Sequence, residues 1–188
     1  MMEDIIIRDA TAEDIPLVAK CTMAAIGLYD FSPHMSQEQQ RSYDFLTEIC
    51  GADNTLYSYR KARVATISGT PVGCLISYGG ESYADARELT FGMAEKVLGI
   101  DLSDTETETC DGEYYLDTMA IIPAFRGYGI GKKLLLDGIE RGRRGGYGKV
   151  TLIVDKEYAH LKEYYASVGF KGDMEMRCFG DTYIKMEI

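Results

Sequence analysis

Long apolar runs are missing from this sequence: no stretch approaches the ~20 residues that a membrane-crossing helix needs. Met1 to Ala10 carries acids and Arg8 where a signal peptide would be apolar, so a cytoplasmic protein that does not enter the membrane is expected. Basic charge is also scarce. Twenty Lys and Arg face thirty Asp and Glu, a formal net charge of −10, and a nucleic-acid backbone needs a basic surface that this chain cannot assemble. Five cysteines, Cys21, Cys50, Cys74, Cys110 and Cys178, form no C-x-x-C pair, which removes the usual signature of a thiol metal site or redox couple. They read as reduced structural thiols, and no metal is expected. Of the two histidines, His34 follows Pro33 in a loop and His160 lies on the outward side of a helix. Neither has a Ser or Cys partner in sequence, so both read as surface residues.

What is present is ordinary for a folded α/β chain: 188 residues, 46% hydrophobic, 27% charged. That size suits one domain over residues 1–188. Asp4 to Arg8 predicts a strand, and Thr11 with Glu13 and Asp14 predicts the start of a helix reaching Gly27. A second helix is predicted over Ser36 to Cys50. The β-branched and aromatic runs Tyr57 to Ile67 and Val72 to Tyr78, joined by Ser68-Gly69-Thr70-Pro71, predict a hairpin. Leu89, Met93, Val97 and Leu98 recur at helical intervals in an inserted helix from Glu81 to Leu98, closed by Gly99. Asp101, Asp104, Glu106, Glu108, Asp111 and Glu113 follow without a balancing base and predict a solvated loop. This inserted helix and acidic loop occupy about 79–112. Tyr114 to Ile122 is the strongest predicted strand, and a helix with Ile130, Leu134, Leu135 and Ile139 follows. A strand over Lys149 to Val154, a helix over Tyr158 to Val168 and late strands near Met174 to Phe179 and Tyr183 to Ile188 complete the chain. Arg141, Arg143, Arg144 and Lys149 read as cations at a helix's negative end.

Between the strongest strand and its helix lies Arg126-Gly127-Tyr128-Gly129-Ile130-Gly131. Three alternating glycines let the backbone turn tightly beside a ligand, and the new helix offers free N–H groups and a positive dipole end, which suits a phosphate or pyrophosphate. A dinucleotide fingerprint starting at Gly127 needs glycine where Lys132 stands. A Walker loop ending at Gly131-Lys132 needs glycine at Arg126 and Ser or Thr at Lys133. What remains, R-x-x-G-x-G after a strand and Pro123, resembles the acyl-CoA signature of the GCN5-related N-acetyltransferase (GNAT) family. The likeness extends to Ile5 through Asp14 at the start and to Tyr165-Ala166-Ser167-Val168-Gly169-Phe170 near the end.

That resemblance implies an α/β (α+β) fold with a mixed, mostly antiparallel central sheet flanked by helices. It implies strands at 114–122 and 149–154 splayed apart to admit the pantetheine arm of acetyl-CoA, Met119, Ala120 and Ile121 lending backbone groups to that arm, and Arg126, Gly127, Tyr128, Gly129, Ile130, Gly131 and Lys132 holding the pyrophosphate. It implies Tyr165 as the acid that protonates the leaving sulfur. Tyr158 stands where an asparagine often begins the family's late helix. The base is a matter for the residues themselves. Glu113, Tyr115 and Asp117 share a face by the strand's period of two, and Asp117 lies in the apolar middle, where burial raises a carboxyl pKa. Acetyl transfer to a primary amine, on a small molecule, a peptide terminus or a lysine, is the activity so implied. The segments 28–50 and 79–112 are unlike the shared core and are expected to shape the acceptor site, where the acids Asp104, Glu106 and Glu108 would select a cationic amine such as a polyamine or aminoglycoside. A non-catalytic acyl-CoA-binding module, and an interaction protein dimerising through Tyr183 to Ile188, are the alternatives.

Overall fold

In the computed structural model, residues 4–188 are described; Met1 to Glu3, part of the N-terminal stretch read above, lie outside them. Seven strands form one sheet in the order β1-β2-β3-β4-β5-β7-β6. They are β1 (Ile5–Asp9), β2 (Ala62–Ile67), β3 (Thr70–Gly79), β4 (Glu113–Ile121), β5 (Lys149–Asp155), β6 (Lys171–Cys178) and β7 (Asp181–Glu187). Among the described residues only β4 and β5 pair in parallel, and helix α4 (Ile130–Arg144) makes the crossover between them. Helices α1 (Ile15–Ala25), α2 (Gln37–Gly51) and α3 (Tyr83–Leu98) share a core with one sheet face, while α4 and α5 (Ala159–Val168) pack into a second core on the other. The expected mixed, mostly antiparallel sheet with flanking helices is present.

Local chemistry explains most boundaries. Ser36 caps α2 reciprocally with Gln39: the Gln39 N–H donates to Ser36 Oγ at 3.1 Å and the Ser36 N–H to Gln39 Oε1 at 3.0 Å. Gly99 ends α3 in the left-handed region at φ 71°. The β2–β3 turn is tighter than its four-residue prediction, with Ser68 and Gly69 both at positive φ. Arg63 on β2 forks onto Asp137 of α4 at 2.8 and 3.0 Å and also meets Asp9, which fastens the β1 edge to α4.

Four expectations are corrected. The first turn after Thr11 is 3-10, closed by the Asp14 N–H on Thr11 O at 2.9 Å, and α1 starts at Ile15; the Asp14 carboxylate folds back to the Arg8 guanidinium and the Thr11 N–H and caps the turn. The segment before β2 does not extend from Tyr57: Tyr59–Lys61 is a 3-10 turn, and the ladder begins at Ala62. Helix α3 buries Tyr83, Ala86, Thr90 and Ala94, leaving Leu89 and Val97 of the predicted apolar stripe exposed. Strand β7 is flanked by β5 and β6, so Tyr183 to Ile188 offers no free edge to a second copy. The cations after α4 do form surface pairs, Arg141 with Asp9, Arg144 with Glu140 and Lys149 with Glu187.

Candidate active site

Strands β4 and β5 pair over only three positions, Glu113↔Lys149, Tyr114↔Val150 and Tyr115↔Thr151, and beyond Thr151 the partner of β5 is β7 alone. The closed end of this fork is held by Lys185 of β7, whose ammonium lies 2.7 Å from Glu113 with both side chains largely buried. Two hydroxyls at the fork, Thr118 Oγ1 and Thr151 Oγ1, are buried without a hydrogen-bond partner. Orphaned buried hydroxyls are costly and uncommon, and they fit a place built to receive a water or ligand group.

A bulge sits at the fork on β4. Ile76 pairs with Thr118 while Ser77 pairs with Leu116, so Asp117 is the extra residue. The added residue reverses the alternation. Tyr115 lies in the first core and Tyr114 and Leu116 in the second, yet after the bulge Ala120 lies against the first and Met119 and Ile121 against the second. Asp117 stands with Tyr115 on the first side, as the period of two predicted, but Met119 does not follow. Its carboxylate accepts from the Tyr78 hydroxyl at 2.5 Å. Burial first, and then the Glu108 charge, push Asp117 up to about 8, against the opposing pull of the Tyr78 hydroxyl and the Lys61 ammonium. Such a carboxyl changes protonation near neutrality, the range a general base needs.

The glycine-rich turn lies just beyond β4. Gly127 and Gly129 have φ of 85° and 79°, and no atom lies within 4 Å of where a Cβ would project from either. Both requirements, left-handed backbone and open approach, favour glycine here. Gly129 is the N-cap of α4, and the first helical bond runs from the Lys133 N–H to Gly129 O at 3.1 Å. Among the described residues, none of the N–H groups of Gly127, Tyr128, Gly129, Ile130, Gly131 and Lys132 donates to a backbone acceptor. Arg126 donates from Nε to Ile121 O at 3.0 Å, bracing the turn against the end of β4. Of the expected pantetheine contacts, Ile121 O is therefore taken by Arg126, and Ala120 O receives the Cys21 thiol at 3.6 Å.

Tyr165 lies half-buried on α5, its ring edge-on to Phe170, and burial pushes its phenol up to about 12. No contact joins it to Asp117, which is on the other side of the sheet. Its neighbour Tyr164 places its hydroxyl 2.9 Å from the point where a Cβ on Gly131 would sit. Sequence reasoning also missed Tyr78, Thr118 and Thr151, and it misplaced Glu108. That carboxylate is only 4% exposed and accepts from Tyr115 at 2.6 Å and Tyr83 at 3.1 Å. Nor is Glu106 free: it accepts from the Arg177 N–H at 2.7 Å. The expectation that 104, 106 and 108 form a solvated acidic face selecting the acceptor fails at Glu108, whose oxygens are both committed inside the protein. The only hint was the interleaving of acids with Thr105, Thr107 and Thr109, two of which are buried.

His34 and His160 are both exposed, as expected. Among the described residues, no helix is long and apolar enough to cross a membrane.

The sequence model of the acetyltransferase (GNAT) family matches residues 28–170. The crystal structure of an N-acetyltransferase from Staphylococcus aureus Mu50 superposes with a TM-score of 0.80 at 26% identity, over 97% of this chain and 100% of that one. A second acetyltransferase crystal structure gives 0.74 at 30% identity, over 97% of each chain. At 16% identity and a TM-score of 0.57, the PaiA N-acetyltransferase of Thermoplasma acidophilum, solved in complex with coenzyme A, shares the fold over 98% of this chain and 99% of that one. A search of curated proteins gave no match.

Proposed function

The chain belongs to the acetyltransferase (GNAT) family and is an acyltransferase; from that premise we propose that it moves an acetyl group from acetyl-CoA directly to a primary amine at the β4–β5 fork. The observation that carries this reading is the set of six unpaired N–H groups from Gly127 to Lys132 at the start of α4, just beyond the strand where the sheet forks. Free N–H groups at a helix N-terminus bind a pyrophosphate, and the fork offers strand backbone for an extended arm. The complex of the Thermoplasma relative with coenzyme A agrees with that use of the fold. Acetyl-CoA supplies an activated thioester, so no covalent intermediate on the protein is required.

The chain's own residues have three tasks. Gly127 to Lys132 hold the diphosphate and set the depth of the donor. Asp117, half-ionised near pH 8, takes a proton from the acceptor's ammonium, directly or through a water, leaving an uncharged amine. Tyr165 returns a proton to the departing thiolate. Its raised phenol stays protonated across the working range, so the proton is held until the thiolate forms, and it is replaced by the second proton that the attacking nitrogen sheds as the amide forms. Acetyl-CoA and the acceptor must then be bound together. Initial rates of thiol release over a matrix of both substrates test this: intersecting lines support direct attack, whereas parallel lines mean an acetylated enzyme and overturn it.

A further inference from the structure

The segment 99–112 brings one carboxylate into the protein interior, on the same side of the sheet as Asp117. Glu108 is 4% exposed and its two oxygens accept from different tyrosines, Tyr83 of α3 and Tyr115 of β4. Tyr83 stacks on Tyr78 with ring centroids 6.5 Å apart, and Tyr115 meets Tyr78 edge-on at 5.8 Å. Tyr78 donates to Asp117. Two buried acids thus stand on either side of one group of packed phenols, each holding hydroxyls in place.

Resting on the assignment of Asp117 as the base, we propose that Glu108 is a positioning residue for catalysis: its buried carboxylate, held by Tyr83 and Tyr115, acts on Asp117 across the packed phenols that include Tyr78. The surroundings leave that charge poorly balanced. From the segment before β2 come Tyr57 and Lys61; from β3, Tyr78; from α3, Tyr83 and Arg87; from β4, Tyr115; and from β6 and β7, Cys178, Tyr183 and Lys185. The cations among them have other commitments. Lys61 donates to Thr55 O at 2.8 Å, Arg87 to Thr105 O at 2.6 Å, and Lys185 is bound to Glu113. Burial raises the proton affinity of Glu108 as well, so the two acids titrate as a pair. A negative neighbour makes Asp117 the stronger base, so that when it takes the ammonium's proton the N–H bond breaks and the new O–H bond is more stable than an isolated carboxyl would offer.

The test compares pH profiles of kcat/KM for acetyl-CoA-dependent acetylation of a simple primary amine. Glu108→Gln keeps an acceptor for one phenol and removes the charge; the acid limb should move about one pH unit lower, a tenfold change in the ionisation constant, with reduced rate on the high-pH plateau. Glu108→Asp, which keeps the charge, should restore most of the shift. Should Glu108→Gln fail to fold, Tyr83→Phe removes one donor to Glu108, favours its protonated form and should move the limb in the same direction. Carboxyl carbon NMR of aspartate-labelled protein, with the Asp117 signal identified by its loss in Asp117→Asn, reads the same shift without turnover. An unmoved limb and unmoved carbon titration in these variants, with Asp117→Asn inactive, overturns the role of Glu108 and leaves the base assignment standing. If Asp117→Asn retains parental rates and profile, the assignment of the base fails and the proposal with it.

Discussion

Replacing Gly129 by aspartate separates folding from donor binding, because the structure predicts opposite sensitivities for the two. At φ 79° a side-chain-bearing residue is strained, by about 1 kcal/mol, and Asp tolerates this region better than most. Nothing lies within 4 Å of the new Cβ, so no overlap adds to that cost. The position is also the N-cap of α4, where a carboxylate facing the helix's positive end returns roughly 0.3–1 kcal/mol. The net change is within ~1 kcal/mol, a shift of about 2–4 °C in Tm for a chain of this size. Donor binding should respond far more strongly. A carboxylate about 4 Å from one negative phosphate is repelled by ~4 kcal/mol at an effective dielectric near 20, about a thousandfold in affinity. With half of that lost to solvent screening, about thirtyfold remains. Melting with and without coenzyme A reads both effects. At a hundredfold excess over the parental Kd the parent should gain ~2.7 kcal/mol, or roughly 5–10 °C, and the variant less than about 1 kcal/mol. Gly129→Asn, with the same shape and no charge, should keep more of the shift. A Gly129→Asp protein that melts like the parent and gains the same shift with coenzyme A would refute the placement of the diphosphate.

Other substitutions probe separate parts of the account. A Cβ on Gly80 would lie 1.9 Å from Cys110 O, where backbone meets backbone, so Gly80→Ala should cost about 3 kcal/mol and lower Tm by roughly 6–12 °C; an unchanged melt would contradict the packing of 99–112 against the β3–α3 corner. Tyr165→Phe should reduce kcat by roughly a hundredfold or more at unchanged coenzyme A affinity, and Tyr164→Phe should do much less; the reverse ranking in steady-state assays would give the acid's role to Tyr164. Asp117 has its folded pKa raised to about 8, so it stabilises the fold at low pH and that contribution is lost as pH rises through 8. Asp117→Asn should therefore gain Tm relative to the parent at pH 9 and not at pH 4; a pH-independent difference between the two melting curves would contradict the buried carboxyl.

The strand-turn-helix at 113–144 was legible because each of its signals is local. The apolar and aromatic run of β4 gives way to the 3.6-residue period of Leu134, Leu135 and Ile139, with glycines supplying the positive φ between them. The same holds for α2. The misread parts depend on partners far along the chain. Nothing in Asp117 or its neighbours announces an extra residue, since the bulge exists only in register with Ile76 and Ser77. Glu108 looked like one acid in a solvated run because the hydroxyls that hold it lie on α3 and β4. Helix α3 carries apolar residues on more than one side, and its inner face is set by partners elsewhere: the Tyr83 hydroxyl meets Glu108, the Thr90 hydroxyl accepts from the Leu56 N–H, and the small Ala86 and Ala94 allow close packing on the first core.

The most direct test of the account is calorimetric titration of the purified protein with acetyl-CoA. Saturable, micromolar binding with one site per chain is predicted by six open N–H groups at the start of α4. A folded protein that shows no binding of acetyl-CoA at millimolar concentration would contradict it.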